Sequence, residues 1–295
     1  MITVSGMSYF YLFMAMVFSA TITVGSRLFN LKNAGRANVS GVYTCLVPVF
    51  ASLSWLIMWL CDFSFDIHVL PYSILYGLGH ICFNIGMLGA LKVGSTSLTG
   101  LVKQVALVGV TLWGVAFWGT QFTLAGGIGI ILIIIALCLC LITKEKKNDS
   151  ANLHKWILYA LLLAVGNAAC SIVQRYQQMA FNYQHKNMMM FLGVFFAACV
   201  CFFFFRKEDK SNWGAAIKDS WMCPALSGCS SAFSNLFILL LVKHNMSPVI
   251  LYPGIAVGGL MLTIIISLWG FKEKLRPAQW YGLGVGSVAL VLLNL

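Results

Sequence analysis

Polar residues stand out in long apolar runs, and in this chain several recur at helical spacing. Ser19, Thr23 and Ser26 stand at i, i+4 and i+7, and Tyr76, His80 and Asn84 at i, i+4 and i+8, so each set shares one face of a helix. Asn167, Ser171 and Gln174, then Ser227, Ser231 and Asn235, form similar stripes in the second half of the chain. Hydroxyl, amide and imidazole groups in this arrangement offer neutral donors and acceptors to a polar solute. Serine and threonine also serve helix packing, where interhelical hydrogen bonds average about 0.6 kcal/mol. Asn84, Asn167, Gln174 and Asn235 carry bulkier polar groups that need partners, which favours a cavity.

Lys103, with Gln104 beside it, is the one lysine or arginine well inside an apolar run. It lies about 9 Å of helix from the start of that run. From there its ammonium could snorkel to the membrane interface. It could instead face a cavity, where it would meet a carboxylate or phosphate on the solute or stand in for a coupling cation. His80 could titrate near neutral pH and relay a coupling proton, or it could be a structural histidine bonded to a neighbouring helix. Tyr76, Trp113 and Tyr252 are the aromatic candidates near the stripes, and an aromatic cage could hold a quaternary amine by cation–π attraction.

Other chemistries are missing. All eight acids lie near or outside the ends of the apolar runs, whereas a proton-coupled exporter of lipophilic cations normally uses a buried carboxylate. No phosphate loop, nucleophile elbow or carboxylate pair is present, so an enzyme is not expected. The ten cysteines fall almost entirely within apolar runs, without CxxC pairs or Cys/His zinc spacing. They read as packing residues, with no metal, disulfide framework or cofactor expected.

The elements that must position these residues follow from composition. The sequence is 60% hydrophobic and only 9% charged, against about a quarter charged in soluble domains. Ten apolar runs, at 7–29, 39–61, 69–91, 97–119, 122–143, 155–177, 188–205, 221–242, 248–270 and 276–295, are each read as crossing a hydrocarbon core about 30 Å thick. Their lack of period-2 alternation excludes a barrel, so the expected fold is an all-α membrane protein of ten transmembrane helices. The first run has neither a basic region before it nor a small-residue cleavage site after it, and is read as a retained helix.

Fifteen of the 19 basic residues, from Arg27 to Arg276, lie in the odd-numbered connections, against Arg175, Lys186 and Lys243 on the even side. The positive-inside rule then places the odd connections in the cytoplasm and both termini outside, in a multi-pass protein of the plasma membrane. The net charge of +11 is therefore a topological signal. With no arginine-rich helix or RNA-type aromatic motif, no nucleic-acid partner is expected. The expected partners are a small-molecule solute, the lipid bilayer and, through His80, a coupling proton, for a monomer or homodimer.

The polar linker at 144–154 leaves five runs on each side, and an odd number per half inverts a repeated half. At an offset of 148, Arg27 pairs with Arg175, Ala20 with Ala168 and Thr23 with Ser171. At 151, Gly77 pairs with Gly228, Asn84 with Asn235 and Lys92 with Lys243. At 155 or 156, Trp113-Gly114 pairs with Trp269-Gly270, and Gly127 and Gly129 with Gly282 and Gly284. This near-constant offset predicts two inverted five-helix repeats, 1–148 and 149–295. Pro224 and Pro253-Gly254 are expected to break their helices early, freeing carbonyls to line a cavity or form a hinge.

Pro248, Tyr252-Pro253-Gly254 and Phe271-Lys272-Glu273-Lys274-Leu275, followed by Gln279 and Gly282, together with the ten runs in two halves, resemble the EamA-like branch of the drug/metabolite transporter superfamily. The first half departs from that pattern. Phe117 or Trp118 sits where the family glutamate would be, which leaves Glu273 as the only position that could carry its role. The resemblance implies a transporter of small organic solutes with a central cavity between the halves. The expected function is secondary-active transport of a small polar or zwitterionic, amino-acid-like metabolite by alternating access, in the export direction. Export of lipophilic or quaternary-ammonium cations, and a non-transporting scaffold or receptor, are the alternatives.

Overall fold

The computed structural model describes residues 6–93, 96–119, 123–141, 150–207, 209–271 and 277–292. Glu273 and most of the 144–154 linker lie outside these residues. The described chain forms eleven helices: α1 (Gly6–Lys32), α2 (Ser40–Cys61), α3 (Leu70–Val93), α4 (Thr96–Phe117), α5 (Leu124–Leu141), α6 (Ser150–Ala180), α7 (Lys186–Phe204), α8 (Trp213–Ser220), α9 (Met222–Lys243), α10 (Pro248–Phe271) and α11 (Pro277–Leu292). Among the described residues there is no strand. Six helices are long and apolar enough to cross a membrane, namely Gly6–Lys32, Ser40–Cys61, Ile67–Ala90, His154–Ala180, Lys186–Phe204 and Met222–Lys243. The apolar stretches Ala106–Phe117, Leu124–Ala136 and Pro248–Leu262 are shorter.

Two features differ from the sequence expectation. The connection after 205 contains α8, a helix of 8 residues that is too short and too polar to register as an apolar run. It is tied to the α1–α2 loop through Arg36 Nη2 to Asp219 Oδ2 at 2.6 Å, Asn33 Nδ2 donating to Ser220 Oγ at 2.9 Å, and Trp213 Nε1 donating to the Asn38 carbonyl at 3.0 Å. The prolines also leave their helices intact. Pro224 falls in the first turn of α9, where a missing N–H costs little. α10 runs unbroken through Pro253, and residues 251–260 around it are all buried, so packing on both sides holds the backbone in place.

α3 packs against α6 and α7, α1 against α9 and α10, α2 against α7 and α9, α4 against α6 and α10, and α5 against α11. The α3–α6 contact positions the polar stripes, and glycine makes it close. A Cβ on Gly166 would lie 2.4 Å from the Phe83 nitrogen and 2.6 Å from the Gly79 carbonyl oxygen, both rigid backbone atoms. Gly166→Ala is therefore expected to cost about 1–3 kcal/mol by overpacking, whereas Gly109→Ala, with nothing within 4 Å, should be tolerated. Thermal midpoints of the two purified variants in detergent check this. On the outer surface, Ile57, Leu60, Leu158, Leu161, Phe203 and Phe204 are exposed, an apolar face that suits hydrocarbon and would be costly in water.

Candidate solute cavity

The stripes converge on a cavity of about 100 Å³ lined by residues of α1, α2, α3, α4, α6, α9 and α10. It is several times larger than the roughly 10–15 Å³ that one water needs on the same measure. Ten of the residues singled out in the sequence line it: Ser19, Ser26, Tyr76, His80, Asn84, Lys103, Asn167, Ser171, Ser231 and Asn235. All but Lys103, which stands out by its charge, are brought there by the helical periodicity that made them visible.

Most of these groups are held by local bonds that fix their direction. Asn84 Nδ2 lies 2.8 Å from His80 Nδ1 one turn away on α3, and an amide donor there requires that ring nitrogen to be unprotonated. The imidazole sits between Tyr76 and Phe83, with ring centroids 6.0 and 6.3 Å away. Asn167 Nδ2 donates to the Lys103 carbonyl at 2.8 Å, joining α6 to α4 at the level of the lysine. Asn235 Nδ2 donates to the Ser231 carbonyl at 2.8 Å, and its Oδ1 accepts from Gln174 Nε2 at 2.6 Å.

Lys103 is the exception. It is 6% exposed and its Nζ is buried without a hydrogen-bond partner. It does not snorkel. A buried ammonium with no partner is costly, and Lys103 belongs to the cavity wall.

Thr23, Gln174, Tyr252 and Trp113 fall outside the lining. Thr23 is one residue, or about 100° of helix rotation, past Ile22, which lines the cavity with Ser19 and Ser26. Gln174 stands behind the wall and positions Asn235, with its amide also 3.5 Å from Met190 Sδ. Tyr252 is buried one turn before the lining residue Ile255, in an apolar cluster with Leu12 and Leu107. Trp113 is 38% exposed, stacks on Phe117 at 4.2 Å and donates to Tyr176 Oη at 3.3 Å. The Gln104 side chain lies outside the described residues.

Sequence reasoning missed Tyr43 and Ser234 in the lining. Tyr43 Oη is 2.8 Å from Ser26 Oγ and donates to Ser227 Oγ at 2.7 Å, linking α1, α2 and α9 at one end of the cavity. As a lone polar residue on α2 it belongs to no stripe. Its signal lies only in the two serines it bridges.

No family model and no curated protein matches the chain. Among solved structures 28 chains match. One of them, a crystal structure of a protein, superposes with a TM-score of 0.72 over 99% of both chains at 12% identity, a likeness of fold alone.

Proposed function

We propose that this chain is a secondary-active membrane transporter of a small polar or zwitterionic organic metabolite, working by alternating access. The observation that carries the reading is the cavity between helices from both halves of the chain, whose largely apolar wall carries hydroxyl, amide and imidazole groups together with the unpartnered Lys103. Neutral donors and acceptors beside one cation suit a solute that bears a carboxylate. They disfavour a lipophilic cation, which Lys103 would repel.

The packing supports an inverted repeat of 1–148 and 149–295. Exchanging α1 with α6, α2 with α7, α3 with α9, α4 with α10 and α5 with α11 turns the α3–α6 pair into α9–α1, α3–α7 into α9–α2 and α4–α6 into α10–α1, and all of these are packed pairs. The same exchange maps α2–α7, α4–α10 and α5–α11 onto themselves. Binding at the interface of two inverted halves is the arrangement from which carriers rock between states. With the ten apolar runs, this pattern favours ten spans and membership of the EamA-like branch. The basic residues favour both termini outside the cytoplasm, and the membrane is read as the plasma membrane.

In a thermal-shift panel on the purified protein, zwitterionic amino acids are expected to raise the midpoint while quaternary amines do not. Stabilisation by the amines alone would replace this reading with a cation exporter. No response to any solute would favour a scaffold.

A further inference from the structure

Arg175 lies in α6 one turn beyond the cavity-lining Ser171. Its guanidinium sits over the Trp118 ring, 4.9 Å from the centroid, yet Nε and Nη1 are buried without a hydrogen-bond partner. An arginine near a helix end usually snorkels its nitrogens into water or headgroups; these two do not reach either. The stack does not satisfy them, because it uses the face of the guanidinium while the N–H fork points outward in its plane. Two other groups converge here. Trp118 Nε1 is a buried donor without a partner. Tyr252, one turn before the lining residue Ile255, places its hydroxyl against the guanidinium within hydrogen-bonding reach, though not in good geometry.

None of the described acids is engaged with this fork. Asp219 pairs with Arg36, Asp62 accepts from Asn187, Asp66 accepts from the His68 backbone and Asp209 from Ser211. Three polar groups from α6, the end of α4 and the start of α10 thus meet beside the cavity, and the Tyr252 hydroxyl oxygen is the one acceptor among them. The unpartnered Nε and Nη1 lie on different edges of the guanidinium, so each edge offers a charged in-plane donor to a carboxylate oxygen.

We propose that Arg175, Trp118 and Tyr252 form an anion port at the end of the cavity where α4 and α6 finish and α10 begins, and that the transported solute is an organic carboxylate. The port receives the carboxylate at Arg175. The solute then passes the Ser171–Asn167 face to Lys103, whose carbonyl Asn167 holds. Eight residues of α6 separate Asn167 from Arg175, about 12 Å along the axis. This deepens the transport reading and rests on it for direction, but the binding step can be measured separately.

The test is tryptophan fluorescence of the full-length protein in detergent, titrated with glutamate, succinate and benzoate and, as uncharged controls, with succinamide and benzamide at constant ionic strength. Carboxylates are expected to produce a saturable change, the amides none, and Trp118→Phe should remove the signal and so assign it. Arg175→Gln should weaken the response at least tenfold, with Arg175→Lys retaining part of it. If Arg175→Gln fails to fold, as judged by size-exclusion elution, Arg175→Lys alone decides: an unchanged affinity overturns the port. No carboxylate response in the wild type also overturns it, as does a response to phosphatidylglycerol micelles alone, which would make this a lipid-headgroup site. A carboxylate response without transport in liposomes would uphold the port and sink the carrier reading, and transport without that response would do the reverse.

Discussion

Replacing Lys103 with methionine is expected to cut solute affinity and transport roughly ten- to hundredfold while making the unliganded protein more stable. The first effect follows from the free ammonium on the cavity wall. A hydrogen bond to a charged group is worth about 1.5–3 kcal/mol, which converts to that range of affinity. The second follows from the same observation. The ammonium has been taken out of water and nothing in the described chain repays the desolvation, so an apolar side chain of similar length relieves a cost. Each kcal/mol recovered should raise the thermal midpoint by roughly 2–4 °C in a chain of this size. A residue retained only for folding would behave in the opposite way, with lower stability and unchanged transport. Differential scanning fluorimetry and uptake assays on the same preparation separate the two outcomes.

Asn167→Ala is the second substitution with a large expected effect, and it acts through Lys103. The amide donates to the Lys103 carbonyl from the neighbouring helix, so its loss frees α4 to shift relative to α6 at the level of the lysine. Removing one such bond costs about 0.5–1.5 kcal/mol of stability. Transport should fall about tenfold, because a 1 Å displacement of a positioning element is enough for effects of that order. The two substitutions share one function, so their effects on transport should not add, and the double variant should resemble Lys103→Met alone. Additive losses, measured as initial uptake rates, would show that Asn167 acts independently of the lysine.

Much of the site was legible because the background is uniformly apolar. Ser19 and Ser26, His80 and Asn84, Asn167 and Ser171, and Ser231 and Asn235 stand out by periodicity, and helical geometry alone brings each pair to one face. What periodicity does not show is which way a residue points when two faces are both buried. Gln174 shares the stripe of Asn167 but turns to bond Asn235. Thr23 lies beside a lining residue and just misses the line. Tyr43 was invisible because its partners Ser26 and Ser227 are on other helices, a relation that no local pattern encodes. The same limit hid α8, whose attachment to the α1–α2 loop depends on residues more than 170 positions apart in sequence. Arg175 was legible as a basic residue on the sparsely charged side, but the buried state of its nitrogens was not.

The stripes were predictable because local spacing determines them, and the proline behaviour was not, because tertiary packing does. Pro253 carries the sequence signature of a helix break, yet continuous burial of residues 251–260 leaves the chain no room to leave the helix. A hinge in α10 would have to come from a different packed state rather than from the proline in this one.

The most direct test of the account is uptake of a labelled zwitterionic amino acid, taken from the solutes that stabilise the purified protein, into proteoliposomes containing either the wild type or Lys103→Met. The account predicts saturable uptake by the wild type and a loss of at least tenfold in the variant, with the variant folded and no less stable. Equal uptake by both proteins, or none by the wild type above empty liposomes, would contradict it.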